Sequence, residues 1–218
     1  MKRTIAALLA ALPLLAHAGS WFQIETGAGY AFTKDLGDGV WYQEGAPHSE
    51  TLNTKAYLAG FTGQLVERVP YDLTWHLDYV YFGSQRASCT CVTDAQYNAV
   101  THIASVPGYI PFSSSGHIQG VSLTFEPGYA WHGLRFSVEA GPWVFWDTWH
   151  VRRIDPAQPG VDDISHRTRA QLGWVVGARI ESGNSSLSYR YYNEPQDWSN
   201  GYPGIANGTH ILMFVHRF

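Results

Sequence analysis

"LTWHLDYVYF", Leu73–Phe82, sorts its side chains by position. Leu73, Trp75, Leu77, Tyr79 and Tyr81 share one parity, while Thr74, His76 and Asp78 share the other. Neighbouring side chains of a strand point to opposite faces, so a period of two means a strand with one apolar and one polar face. What decides the fold is which of those faces is turned inward.

The same alternation continues on both sides of this stretch. In "WFQIETGAGYAFTK" the apolar parity carries Phe22, Ile24, Ala28, Tyr30 and Phe32, against Gln23, Glu25, Gly27 and Gly29. "KAYLAGFTGQLVE" places Tyr57, Ala59, Phe61 and Leu65 together, with Leu58 and Val66 interrupting the pattern. "HIQGVSLTFEP" sets Val121, Leu123 and Phe125 against Gly120, Ser122, Thr124 and Glu126. "LRFSVEAGPWVFW" sets Leu134, Phe136, Val138 and Ala140 against Arg135, Ser137, Glu139 and Gly141. "RTRAQLGWVVGARI" opposes Ala170, Leu172, Trp174, Val176, Ala178 and Ile180 to Arg167, Arg169, Gln171, Gly173 and Arg179. "SLSYRYY" opposes Leu187, Tyr189 and Tyr191 to Ser188, Arg190 and Tyr192, and "THILMFVHRF" closes the series.

The connectors between these eight segments alternate in length. "RVPYD", "PGYAWHG" and "SGNSS" are tight, whereas residues 35–53, 83–116, 150–165 and 193–208 form long connections. Pro, Gly, Asn, Asp and Ser mark all of them as turns or loops. An even number of strands, with short turns at one end and long loops at the other, is the layout of a transmembrane barrel. The expected fold is therefore all-β: an eight-stranded antiparallel up-and-down transmembrane β-barrel with four long extracellular loops. Several segments exceed the roughly 9–11 residues that cross a bilayer at a tilt, so strand pairing is expected to continue beyond it.

The polar parity separates a barrel in lipid from a soluble sandwich, whose charged face would meet water. Here that parity mixes glycine with acids and bases. An eight-stranded barrel has interior room only for side chains, so these groups must satisfy one another. Glu25, Asp78, Glu126 and Glu139 supply the acids, and Arg135, Arg169, Arg179 and Arg190 the bases, of an expected lumen network. Such a narrow barrel leaves no aqueous pore.

The N-terminus reads as an export signal. Lys2 and Arg3 precede an apolar run from Ile5 to Ala16, which ends in Ala16-His17-Ala18. A positive start, a short apolar core and small residues around a cleavage point mark a secretory signal peptide, expected to be cut near Ala18. The domains are then residues 1–18, the signal, and 19–218, the barrel. Lys2 and Arg3 account for two of the 14 basic residues, leaving 12 against 18 acidic ones in the mature chain. That balance carries no basic run suited to nucleic acid. The chain has 9 Trp and 13 Tyr but a slightly negative mean hydropathy, as expected when apolar residues stand at every second position.

Residues Leu212, Phe214 and Phe218 resemble the C-terminal signature of bacterial outer-membrane barrels, in which alternating apolar residues end on a Phe. His216 stands where that signature usually has an apolar residue. Signal, strand count and final segment together resemble the small barrels typified by the OmpA transmembrane domain and OmpX. The resemblance implies a Gram-negative outer-membrane location, outer-membrane lipid and lipopolysaccharide as surroundings, and recognition by the barrel-assembly machinery. It implies no cofactor.

Some barrels of this size are lipid A 3-O-deacylases, which use a Ser, a His two positions before it and a supporting acid. "YYNEPQDWSNGYPGI" is similar to their last loop in its Ser-Asn and Pro-Gly elements, but no His precedes Ser199 by two. A substitute site would combine Ser199, His210 and Glu194. The leading expectation is a non-enzymatic barrel whose surface loops act in adhesion, shielding or envelope integrity.

Metal binding is not expected. His102, His117, His150, Asp155, Asp162, Asp163 and His166 match no defined ligand spacing and read as solvated loop positions. The aromatics Trp21, Trp131, Trp143, Trp146, Trp149 and Tyr191 read as interfacial girdles rather than a ligand cleft. Cys89 and Cys91, the chain's two cysteines, leave three states open: a labile bond, an intermolecular link or free thiols.

Overall fold

The computed structural model describes residues 22–35, 48–91, 97–98, 103–104, 110–153, 163–195 and 206–218. The signal-like segment lies outside them. Eight strands build the wall: β1 (Gln23–Asp35), β3 (Thr54–Arg68), β4 (Tyr71–Tyr81), β8 (Ile110–Trp131), β9 (Leu134–Arg153), β11 (Gln171–Ser182), β12 (Ser185–Asn193) and β13 (Ala206–Arg217). Shorter strands lie in the long connections: β2 (His48–Thr51), β5 (Gln85–Cys91), β6 (Tyr97–Asn98), β7 (Ile103–Ala104) and β10 (Asp163–Arg167).

The eight close into a ring. From Tyr57 the ladder passes to Ala28, Phe214 and Leu187. It continues through Ile180, Phe136, Tyr129 and Tyr71 to Arg68. Tyr57 and Arg68 lie on the same strand, eleven residues apart, one of which is the extra residue of the register shift between Gln64 and Val66. This return offset is the barrel's stagger, and it tilts the strands by about 40° from the axis. No strand of the ring is left with an open edge, which is the one sheet arrangement with no unpaired row of backbone groups.

Local sequence sets the three tight turns. His132 (φ 49°) and Gly133 (φ 81°) both lie in the left-handed region, the type I′ conformation that matches the twist of a two-residue hairpin. Gly183 (φ 59°) takes the positive-φ position of the β11–β12 turn, and Val69–Pro70 joins β3 to β4.

The two parities divide inside from outside as the sequence implies. Leu77, Tyr79, Leu123, Phe125, Val138, Val176, Leu187, Leu212 and Phe214 are all exposed on the outer surface. Glu25, His76, Asp78, Glu126, Arg179 and Arg190 are buried within. The bulge accounts for Val66: the extra residue puts it outside together with Leu65.

β8 has 22 residues and β9 has 20, about twice what a tilted crossing needs. Their distal halves rise beyond the ring as the centre of a five-stranded sheet, in the order β10-β9-β8-β5-β2. Parts of the first, second and third long connections are therefore strand rather than loop.

Candidate functional site

The half of the lumen nearer the tight turns is an ion-pair network. His76 lies between two carboxylates: its Nδ1 is 2.5 Å from Glu25 Oε1 and its Nε2 is 3.1 Å from Glu126 Oε2. Arg179 spans the same pair, at 3.1 Å from Glu25 and 3.2 Å from Glu126. Above this node Arg190 binds Asp78 at 2.7 Å and Glu139 at 2.6 Å, and Thr124 donates to Glu139 at 3.0 Å. Below it Arg135 joins Asp72 and Glu126, while Arg217 meets Glu181. Glu25, His76, Asp78, Glu126, Glu139, Arg179 and Arg190 are out of water, so each of these ions needs its partners to offset several kcal/mol of lost hydration, whereas Asp72, Arg135 and Arg217 keep part of theirs.

Among the sequence-proposed residues, Glu25, Asp78, Glu126, Arg135, Glu139, Arg179 and Arg190 come together here. Arg169 does not. It precedes the first residue of β11 by two positions and is exposed, so strand parity does not extend to it. His76, Asp72, Glu181 and Arg217 belong to the network as well. His76 and Asp72 share the parity of Asp78 on β4, which was the available signal. Glu25, His76 and Asp78 have the composition of a metal triad, with ligand atoms within 4.8 Å of one another. Arg179 and Arg190 already engage the two carboxylates, which makes the triad a node of the network.

The half nearer the long connections is mostly aromatic and aliphatic, with the buried carboxylates Glu194 and Asp147 among its side chains. Trp143 stacks on Phe145 at 4.6 Å and meets Tyr192 edge-on at 4.8 Å; Phe82 packs against both Trp143 and Tyr192. Trp143 Nε1 donates to the Asn193 carbonyl at 2.9 Å, which satisfies the one polar atom this ring brings inside. Ile118, Ile211, Met213 and Val175 add aliphatic packing around them. This corrects the girdle assignment for Trp143 and Trp149, both of which are buried. Trp131 is exposed at the tight-turn end, and Trp146 and Tyr191 are partly exposed on the outer parity. Trp21 lies outside the described residues.

The substitute hydrolase site is not assembled by the described residues. Glu194 is fully buried in the lumen, whereas His210 is on the outer surface, where its Nδ1 pairs with the Tyr189 hydroxyl at 2.6 Å. The barrel wall stands between acid and base, and a base must lie within hydrogen-bond reach of its partners. Ser199 lies outside the described residues. Leu212, Phe214 and Phe218 all face outward, and the Phe218 N–H donates to the Ile24 carbonyl at 2.9 Å across the β1–β13 seam.

No family model and no curated protein matches the sequence. Solved structures do. Ail, the attachment invasion locus protein of Yersinia pestis, is 10% identical over 91% of this chain and 99% of its own, with a TM-score of 0.40. Neisserial surface protein A is 13% identical over 90% of this chain and 95% of its own, with a TM-score of 0.38.

The histidines and aspartates read as solvated loop positions divide between strands and connections. His117 and His150 lie on β8 and β9; the His117 ring meets that of Tyr81 at a tilt, 5.2 Å between centroids, and His150 pairs with Ser165 at 2.9 Å. His102, Asp155 and Asp162 lie outside the described residues, and Asp163 and His166 are placed by their backbone alone. Cys89 is disulfide-bonded, which removes the free-thiol alternative for it.

Proposed function

We propose that the chain is an integral barrel of a Gram-negative outer membrane, acting through the strands and loops beyond the barrel rather than by catalysis. Its roles are adhesion, shielding or envelope integrity. The supporting observation is the inverted polarity of the wall. Tyr30, Phe61, Leu77, Leu123, Val138, Val176, Leu187 and Phe214 stand on the outer surface, one from each strand of the ring, while Glu25, His76, Asp78, Glu126, Glu139, Arg179 and Arg190 are inside. Monomeric soluble proteins rarely expose contiguous apolar patches beyond a few hundred Å², and this belt encircles the whole barrel. In hydrocarbon the same belt is at no disadvantage, and every strand of the closed ring has a hydrogen-bonded neighbour on both sides.

On this reading residues 1–18 are removed during export and residues 19–218 form the mature barrel. Membrane lipid, lipopolysaccharide and the assembly machinery are its partners. Expressed from Met1, the protein should sediment with outer membranes and resist alkaline extraction. Recovery as a soluble periplasmic species contradicts the proposal. Lipid A from cells with and without the protein should have the same mass spectrum; loss of an acyl chain would instead support a hydrolase.

A further inference from the structure

The sheet above the barrel has two unlike faces. One buries Ala87, Cys89, Ser114 and Trp149. The other presents hydroxyls and guanidiniums in rows set by strand register. Ser49, Ser88, Ser113 and Arg152 stand opposite one another across four strands. One step nearer the barrel the row is Thr51, Arg86, Ser115, His150 and Ser165. A third row pairs His117 with Thr148 and Thr148 with Arg167. Two contacts fix these rows on one face: Ser49 Oγ lies 2.8 Å from Ser88 Oγ, and His150 Nδ1 lies 2.9 Å from Ser165 Oγ.

We infer that this face binds the phosphorylated core saccharide of neighbouring lipopolysaccharide molecules. The inference rests on the outer-membrane reading above. Charge complementarity carries the choice of partner. Arg86, Arg152 and Arg167 are exposed on this face, and no carboxylate is on it among the described side chains, although the chain as a whole has a net charge of −4. Asp163 stands in register with Arg152 at the margin of the sheet. Guanidinium groups grip phosphate through paired hydrogen bonds, and the serine and threonine rows offer donors and acceptors to sugar hydroxyls.

Position supports the same occupant. Along β8 the outward residues run Val121, Gln119, His117, Ser115 and Ser113 away from the apolar belt. Along β9 they run Val144, Trp146, Thr148, His150 and Arg152. The change from apolar to hydroxyl and cation falls where a bilayer changes from acyl chains to charged headgroups. Arg167 sits over the Trp146 ring at 5.2 Å, joining the two zones at that level.

The test uses the full-length protein in nanodiscs, with core oligosaccharide freed of its acyl chains as the probe, in phosphorylated and dephosphorylated forms. The wild type should bind the phosphorylated form at least tenfold tighter than the dephosphorylated one. The triple variant Arg86→Ala/Arg152→Ala/Arg167→Ala should lose that preference while keeping the wild-type heat-modifiable band on SDS gels. Equal binding by the wild type and the triple variant overturns the inference, as does a wild type indifferent to phosphate. Tighter binding of a sulfated host-type glycan than of the phosphorylated core also overturns it, by assigning the face to another partner. A wild type that never enters the bilayer is a different result, because it removes the outer-membrane reading itself.

Discussion

Arg190 shows how much a single interior charge carries. It is completely buried and bonded to Asp78 on β4 and to Glu139 on β9. Arg190→Met removes one cation and leaves two carboxylates without their partner. The expected loss is about 3–5 kcal/mol in folding stability, measured by urea unfolding in lipid vesicles. Adding Asp78→Asn and Glu139→Gln should recover most of that loss, because the damage lies in the stranded charges rather than in the missing bonds. A triple variant as unstable as the single one would show that Arg190 acts through packing. Most of this network was legible in the sequence, because acids and bases recur on the parity opposite the aromatics. His76 was harder to recognise as a member, since a histidine among aromatics carries no charge signal until Glu25 and Glu126 are seen on either side of it.

Strands were legible wherever their two parities differ in polarity, and became unreadable where they do not. In Gly141-Pro142-Trp143-Val144-Phe145-Trp146 nearly every side chain is apolar, so alternation gives no sense of direction. That is why Trp143 read as an interfacial aromatic although it fills the lumen. Arg169 failed for the opposite reason: the pattern was extended past the residue where β11 begins. Glycine recurs on the polar parity, and at Gly141 it has a specific task. A Cβ built there would lie 1.9 Å from the Leu123 carbonyl oxygen and 2.8 Å from Thr124 Cα, both main-chain atoms of β8. Main chain held in a closed ladder cannot swing aside as a side-chain tip can. Gly141→Ala should therefore cost about 1–3 kcal/mol through overpacking, seen as a lower urea midpoint with no change in the heat-modifiable band. Unchanged stability would mean that β8 and β9 are free to part at this point.

Taken together, the protein is organised inside out. A belt of aromatic and aliphatic side chains surrounds a lumen filled first by ion pairs and then, towards the long connections, by a largely aromatic plug. Alternation alone predicted the ring and its two faces. It could not predict how the lumen divides into an ion-paired half and a largely aromatic half, because that depends on which strands bring their inward residues to the same height. The stagger that sets those heights arises only when the ring closes. The direct measurement is spin-label accessibility in lipid vesicles, with Cys89 and Cys91 replaced and one label at a time at Leu77, Leu123, Val138, Val176 or Leu212. These five outward positions lie on five different strands of the ring. All five labels should relax readily with oxygen dissolved in the bilayer and remain shielded from a water-soluble nickel complex. Nickel access at these positions would place the belt in water and contradict a barrel built to sit in lipid.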